Sequence, residues 1–444
     1  MYKPVTIVEV MIWGNSVGAV TLSPQTGFYA FEYNSKWLSQ NVELSPFTLP
    51  IKDGAKVHQF PSLSTDTFKR LPAMLSDALP DKFGNALIDA ALSAEGVSKE
   101  MVSSLDRLAY LNKRGMGALE FKPARGVKKQ KTTAVDMALL VQGARNVLLG
   151  NFKGDTDAEA AIRNIIQVGI SAGGARAKAV IAWNPNTEEM RSGQVEVTDG
   201  FEHWLLKLDG VGEDMALGTG SNYGRIEYAY YLMALDAGID MMPSRLLEEN
   251  GRAHFMTKRY DRDGNIKHHT QSLCAMKELD FNLIGAHSYS QYFETITGLG
   301  LGLEAMQEGF RRMVFNVIAA NYDDHTKNFS FLMKQGGHWV LAPAYDVTHA
   351  HNPDSEWTRQ HLMSVNGKTI SIEMSDFMAV ADLFKIQKAK VIIDRVLSAV
   401  SKWAEFADKA DIPESEQLRV SKDFRMIGGK APLTQNIFID SIES

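Results

Sequence analysis

The segment NYDDHTKNFSFL, residues 321–332, gathers Asp323, Asp324, His325, Lys327 and Asn328 into one short stretch. Side chains of these types can cap a helix, hold a metal ion or accept a proton. Asp323 and Asn328 are five positions apart. On an α-helix that spacing is a rotation of about 500°, and the two side chains would diverge. To act together they must lie on a loop. The apolar run before it, MVFNVIAA, reads as a buried helix that delivers the loop rigidly. The run after it, NFSFLMKQGGHWVLAPAYD, reads as a hairpin that turns at Gly336–Gly337 and ends at Asp346. Asp323, Asn328 and Asp346 are therefore expected to meet at one end of a helix and a hairpin.

A loop aspartate that takes the proton of an attacking hydroxyl, with an amide and a second carboxylate holding magnesium, is the equipment of phosphoryl transfer from ATP. Oxygen ligands suit magnesium because it is a hard cation. The phosphates also need positive charge, which Lys207, on the third strand of the front sheet, can supply. Glu227, on the helix that follows, can pair with Lys207 and hold it in place. SAGGARAK, Ser171 to Lys178, lies between two β-prone runs. Its glycines let backbone N–H groups approach a phosphate closely. It matches neither G-x-G-x-x-G nor the P-loop pattern. The order of the parts carries the reading: glycine loop, Lys207, Glu227, Asp323, Asn328, Asp346, as in a two-lobed kinase.

These residues need a frame of several elements. The chain has 444 residues, more than one hydrophobic core organises. The front is strand-rich: VTIVEVMIWG, GAVTLSP and GFYAFEY are separated by turn residues. A helical stretch broken by Pro80 follows, then the basic run FKPARGVKKQK near a boundary at residues 122–135. NYGRIEYAYYLMALDAG reads as a helix stopped by Gly238, and RAHFMTKRYDRDG as a strand running into a turn. Beyond about residue 265 the pattern is mostly helical. Ile386, Ala389, Ile393, Val396, Val400 and Trp403 predict one long helix packed on the core. Three segments are expected: a β-rich domain at 1–125, a portion with the glycine loop at 126–258 and a helical lobe at 259–444. The fold class is α+β.

Hydrophobic residues make up 45% and charged residues 23%, and the net charge is −6. That balance is ordinary for a globular chain and gives no global basic field for nucleic acid. The basic run, Lys122 to Lys131 at its core, reads as a solvated linker. The single cysteine, Cys274, excludes a disulfide framework and fits a reducing cytosol. No apolar run approaches the roughly 18 residues of a membrane helix. A cytoplasmic location without membrane contact is expected.

Plainer readings exist for each residue. Asp323 and Asp324 can cap a turn, His325 can be a core histidine, Lys207 a surface lysine, and Ser171 a turn residue. A different enzyme class is also compatible with part of the pattern. Asp323, His325, His349 and His351 form a carboxylate–imidazole set for a metal-dependent hydrolase, with THAH placing two histidines on one strand face. That set leaves Lys207 and the glycine loop without a role.

Taken together, DDHTKNFS, PAYDVT, ISAGGARAK and KRYDR resemble the HipA family of bacterial toxin kinases, and LPDKFGNALI resembles that family's extra N-terminal domain. The resemblance spans nearly the whole chain. It implies a protein-kinase-like fold with an extra β-rich N-terminal domain and an all-helical C-terminal lobe. It implies a serine/threonine kinase using ATP and magnesium, with Asp323 as catalytic base and Asn328 and Asp346 as metal ligands. Lys207 would contact the ATP phosphates, together with the loop Ser171, Ala172, Gly173, Gly174, Ala175, Arg176 and Lys178. The backbone of Lys258 and Tyr260 would face adenine, with Asp261 and His325 near the ribose. Ser171 would be the site of an inhibitory autophosphorylation. Tyr260 stands where phenylalanine is usual, and Asp324 where glycine is common; the spacing to Asn328 favours Asp323 as the base. The implied partners are a helix-turn-helix antitoxin of the HipB type, which brings the DNA contact, and a protein substrate, an aminoacyl-tRNA synthetase in some members. A variant reading within the same fold is an ATP-binding corepressor with little kinase activity.

Overall fold

The computed structural model describes residues 2–125, 140–141, 177–193, 196–209, 222–249 and 251–427. The expected glycine-loop residues Ser171, Ala172, Gly173, Gly174, Ala175 and Arg176 lie outside them, as does the second half of the basic run. The chain divides into two units, each assembled from separated stretches. The first takes Met1–Gly212, Met256–Asp280 and Phe331–Trp339. The second takes Glu213–Phe255, Phe281–Ser330 and Val340–Ser444.

In the first unit, β1 (Ile7–Ile12), β2 (Asn15–Leu22), β3 (Tyr29–Tyr33), β4 (His58–Gln59) and β5 (Leu119–Lys122) form a sheet in the order β4-β3-β2-β1-β5. The neighbouring pairs are antiparallel. β1 and β2 are joined by Trp13–Gly14, with φ of 47° and 80°. Two consecutive left-handed residues make the turn whose twist matches that of the strands. The inward side chains Val8, Val10, Val20 and Phe31 pack with Leu105 and Leu108 of the helix Ser104–Leu111. That helix starts with a capping box between Ser103 and Asp106, and Asp106 also accepts the Val5 N–H at 2.8 Å. One carboxylate thus caps the helix and ties it to the chain entering β1.

A second sheet of this unit is centred on β6 (Lys178–Trp183), which is buried along its whole length. β6 pairs antiparallel with β7 (Met190–Ser192) and β8 (Glu202–Lys207), and Lys178 stands opposite Lys207. Just beyond the strand Arg252–Lys258, the Arg259 N–H donates to the His203 carbonyl at 2.9 Å.

The second unit is mostly helical. The helix Gly302–Ile318 packs on Tyr289–Gly298 and on Ala389–Ser401, and the helix Tyr223–Ala237 packs on Ala389–Ser401 and Trp403–Lys409. Tyr223–Ala237 ends at Gly238 with φ +87°, as its sequence predicts. Ile226, Tyr230, Met233 and Ala237 are all buried. Tyr230 meets Trp403 and Phe315 edge-on at 5.6 and 6.2 Å. The long helix expected from Phe384 to Pro413 is two helices instead. Ile386 N–H donates to the Ala381 carbonyl while Lys385 has φ 54°, which ends the preceding helix Met374–Leu383. Lys388, also left-handed, starts Ala389–Ser401, and Lys402 separates that helix from Trp403–Lys409. The apolar stripe from Ile386 to Trp403 is nonetheless buried throughout, because the two pieces keep one face on the core.

Gly224, in the first turn of Tyr223–Ala237, is required by space. A Cβ there would stand 2.0 Å from the Ala253 carbonyl oxygen. In an open helix Gly→Ala stabilises by about 1 kcal/mol. Here the sign reverses. Gly224→Ala should destabilise by roughly 1–3 kcal/mol, read as a lower midpoint in thermal or urea unfolding.

Candidate active site

The loop expected to carry the chemistry leaves the helix Gly302–Ile318, whose last turns from Met313 to Ile318 are buried. Ala320 has φ 53°, and the Asn321 N–H returns to the Asn316 carbonyl at 2.9 Å, so the helix closes before the acids begin. Asn321 also donates through its side chain to Asn316 Oδ1 at 3.0 Å. Asn316 Nδ2 in turn donates to the Tyr289 hydroxyl at 3.0 Å, and that hydroxyl donates to Asp324 Oδ2 at 2.8 Å.

Asp324 is the end point of this network. Its side chain is fully buried, and it accepts three hydrogen bonds: from Tyr289, from His361 Nδ1 at 2.9 Å and from the Leu362 N–H at 2.7 Å. Burial and the Asp324 charge hold the Tyr289 phenol well above the ordinary tyrosine range, so Tyr289 stays a donor. Asp324 is an anchor, with its lone pairs taken by protein. This separates the two acids: Asp324 fixes the loop, and Asp323 is presented by it.

Asp323 is partly exposed. Its Oδ1 accepts the Trp357 indole N–H at 2.6 Å, and His325 Nε2 stands 3.7 Å away. Burial raises the Asp323 carboxyl above the usual carboxylate value; Asp346 and Asp324 add to the rise, and His325 and the Trp357 hydrogen bond oppose it. Asn328 Nδ2 donates to the Asp323 carbonyl at 2.7 Å, and the Asn328 N–H donates to the His325 carbonyl at 2.9 Å. With its amide nitrogen spent on the backbone, Asn328 has its amide oxygen as the atom suited to a cation.

The following hairpin consists of Ser330–Met333 and Trp339–Leu341, with Gly336 and Gly337 at φ 118° and 92° in the turn. Asp346 follows five residues after its second strand. The Ala344 N–H donates to the Asp240 carbonyl at 2.8 Å, and the Tyr345 hydroxyl donates to the Lys327 carbonyl while accepting from Ser330, both at 2.6 Å. Between these tethers Asp346 adopts φ 54°. Aspartate is among the residues that tolerate this left-handed backbone. The Asn328 amide is bonded to the Asp323 backbone carbonyl, and the Asp346 charge acts on the Asp323 carboxyl.

An aromatic frame that the sequence reading missed surrounds Asp323. Phe281 lies 5.3 Å from His325 and 6.2 Å from Trp357, and Lys327 Nζ sits 4.9 Å over the Phe281 ring. Trp357 lies outside any periodic segment, so no local pattern marks it.

The hydrolase set does not form. His349 and His351 face Asp423, at 2.8 and 3.0 Å, and do not gather with Asp323 and His325. They flank an isolated bridge at Ala350 and do not occupy one face of a strand. Among the described residues no group of three or more His, Cys, Asp or Glu is placed to hold a metal. Two oxygen ligands completed by water and phosphate are what magnesium ordinarily takes, so Asn328 and Asp346 fit that ion and the histidines do not fit zinc.

Other expected residues fall in the first unit. Lys178 opens β6 and Lys207 closes β8, directly opposite and both buried. Lys258 donates through Nζ to Glu202 at 2.6 Å, and the Tyr260 hydroxyl meets Thr270 Oγ1 at 3.2 Å, which leaves the expectation for their backbones unaltered. Asp261 is a correction. Its carboxylate is wholly buried and receives Arg259 through Nε at 2.9 Å and Nη2 at 2.7 Å, Arg262 at 2.8 Å and the Gly117 N–H at 2.6 Å. Burial alone would raise its pKa, but the two guanidinium groups hold it far below the ordinary range. A carboxylate so occupied pins the strand end to the Gly117 turn and has nothing left for a ribose. Glu227 is buried in the helix Tyr223–Ala237 of the second unit.

The mixed α+β architecture and this loop define a protein with the kinase-like fold of HipA. A HipA-like C-terminal domain model matches residues 170–404, and a HipA N-terminal domain model matches residues 8–122. The chain belongs to the HipA family. The HipA of a Shewanella oneidensis toxin–antitoxin system, solved with HipB and operator DNA, superposes with a TM-score of 0.64 over 94% of each chain at 16% identity. A provisionally named kinase of Haemophilus influenzae is 32% identical over 135 residues, 27% of this chain and 39% of that protein. A second, named Y4dM, from Sinorhizobium fredii, is 26% identical over 195 residues, 41% of this chain and 44% of that protein. The chain spans about two fifths of the length of these curated relatives. Among the described residues no helix is long and apolar enough to cross a membrane.

The anchoring role of Asp324 has a measurable consequence. Asp324→Ala leaves Tyr289, His361 and the Leu362 N–H without their acceptor and should cost about 3 kcal/mol or more of stability. Asp323→Ala, which removes a partly exposed carboxylate, should change the unfolding midpoint far less. Paired denaturation curves check this.

Proposed function

We propose that this chain is an ATP- and magnesium-dependent serine/threonine protein kinase, the toxin half of a toxin–antitoxin pair. The observation that carries the reading is the Asp323–Asn328–Asp346 arrangement, with Asp324 withdrawn from chemistry to hold it. Asp323 accepts the proton of a serine or threonine hydroxyl as that oxygen bonds to the γ-phosphorus and the bond to ADP breaks. Asn328 and Asp346 hold magnesium, which when bound neutralises phosphate charge. Lys207, positioned by Glu227, and Lys178 face the phosphates under the loop Ser171–Arg176. The Lys258 and Tyr260 backbone faces adenine, and His325 approaches the sugar. Family membership, the provisional kinase names of two relatives and the raised Asp323 carboxyl support this assignment.

An antitoxin of the HipB type is the proposed partner, on the ground that the similar Shewanella protein was solved with HipB and operator DNA. The net charge of −6 fits a DNA association made through that partner. For the substrate we infer a protein, with an aminoacyl-tRNA synthetase as the class to test first. Ser171 is the proposed site of self-inhibition, since a phosphate adding about −1.5 to −2 charges cannot share a pocket with ATP phosphates.

Purified protein incubated with magnesium and labelled ATP should incorporate phosphate, mapped by mass spectrometry to Ser171. Asp323→Ala should reduce the rate by roughly 100- to 10,000-fold. ATP binding without transfer to itself or to a lysate would leave a corepressor and sink the kinase.

Trp357 gives a test of the base itself. Its N–H bond favours the ionised form of Asp323. Trp357→Phe keeps a ring and removes that bond, so the Asp323 carboxyl rises further. A base must be ionised to work; the acid limb of the rate–pH profile should therefore move to higher pH. A profile that stays in place or moves down would remove Asp323 from the role.

A further inference from the structure

Along the helix Gly302–Ile318, Glu308, Arg312 and Asn316 follow one another a turn apart. Arg312 and Asn316 are buried, and the Glu308 side chain is mostly so. Polar groups in such places are tolerated only when they are bonded. Asn316 is bonded to Asn321 and Tyr289, at the root of the Asp323 loop. The other two residues reach a different segment.

Arg312 donates through Nε to Glu308 Oε1 at 2.8 Å and through Nη1 to the Ala342 carbonyl at 2.9 Å. Glu308 Oε1 also accepts the Asp240 N–H at 3.0 Å, and the Asp240 carbonyl accepts the Ala344 N–H at 2.8 Å. These four bonds grip Ala342-Pro343-Ala344 at both ends, by the carbonyl of the first residue and the N–H of the last.

The grip falls where the hairpin lets go. The Ala342 N–H still donates across it, to the Ser330 carbonyl at 3.0 Å. Pro343 has no N–H with which to continue the ladder. Asp346 stands two residues beyond Ala344. Its approach is therefore held by the same helix that ends in the Asp323 loop. A guanidinium fork serves two acceptors in fixed directions at once, which a lysine ammonium on its flexible stem does not.

We propose that Arg312, braced by Glu308, is a positioning residue for Asp346. It sets the magnesium ligand in register with the base, through the backbone and without touching ion or nucleotide. The inference rests on the kinase reading, in which Asp346 holds the ion. Groups that orient a metal ligand govern metal affinity more than they govern the rest of the site.

The test is calorimetric titration of the full chain with ATP, in magnesium-free buffer and again with magnesium, for the parent and for Arg312→Met. The variant keeps an apolar stem and removes both donors, and Glu308 retains Arg311 as a partner. Magnesium should tighten ATP binding in the parent. In Arg312→Met the magnesium-free affinity should stay within about twofold, while the tightening by magnesium should fall roughly tenfold or vanish. An unchanged magnesium effect, or an equal loss with and without the ion, overturns the positioning role and leaves the kinase reading standing. A parent that binds no ATP, or binds it with no regard to magnesium, overturns the kinase reading and this inference with it. Should Arg312→Met fail to fold, Arg312→Lys decides. It keeps the charge beside Glu308 without the fork, so the magnesium effect should shrink there too. An unaltered effect in that variant counts equally against the role.

Discussion

The loop from Asn321 to Asn328 hangs from one buried carboxylate. Asp324 is sealed from water, yet it accepts from a phenol, an imidazole and a backbone N–H. A charge so placed is tolerable only when fully bonded, and removing any partner exposes it. That intolerance fixes the loop. Tyr289 comes from the helix Tyr289–Gly298, His361 and Leu362 from the segment after the loop, and the loop cannot shift without breaking one of them. Asp323, next in the chain, inherits a fixed direction. The Asn328 clip and the Tyr345 tethers then hold the rest of the loop and the segment leading to Asp346.

The first unit uses a different device for the same end. Asp261 sits between Arg259 and Arg262 and reaches the Gly117 N–H, so the strand end, the hairpin after it and a turn far upstream share one carboxylate.

Much of this was legible in the sequence, and the limits have physical causes. The five-residue spacing of Asp323 and Asn328 demanded a loop, and the paired glycines at 336 and 337 announced the hairpin that carries Asp346. The apolar stripe from Ile386 to Trp403 found the buried face but not the break at Lys402, since burial periodicity survives a capped interruption when both pieces keep the same face inward. The division of labour between Asp323 and Asp324 was out of reach: the donors to Asp324 lie 35 to 38 residues away. The same distance hid Trp357. The family resemblance carried in part by KRYDR implied a sugar contact for Asp261; in three dimensions Arg259 and Arg262 have already taken its carboxylate. THAH looked like a metal pair until Asp423, 74 residues on from His349, claimed both rings.

The way the first unit is threaded bears on how the protein is made. Its last contributing stretch, Phe331–Trp339, comes after almost all the helices of the second unit's first two stretches. A nascent chain emerging from the ribosome cannot finish the first unit until residue 339 is out, whatever sheet it forms early. Strand pairing held open over such sequence distances is slow and leaves edges exposed in the meantime. A truncated translation product stopped anywhere before the hairpin therefore carries neither a finished first unit nor Asp346. The hazard of such a fragment is aggregation through its open strand edges.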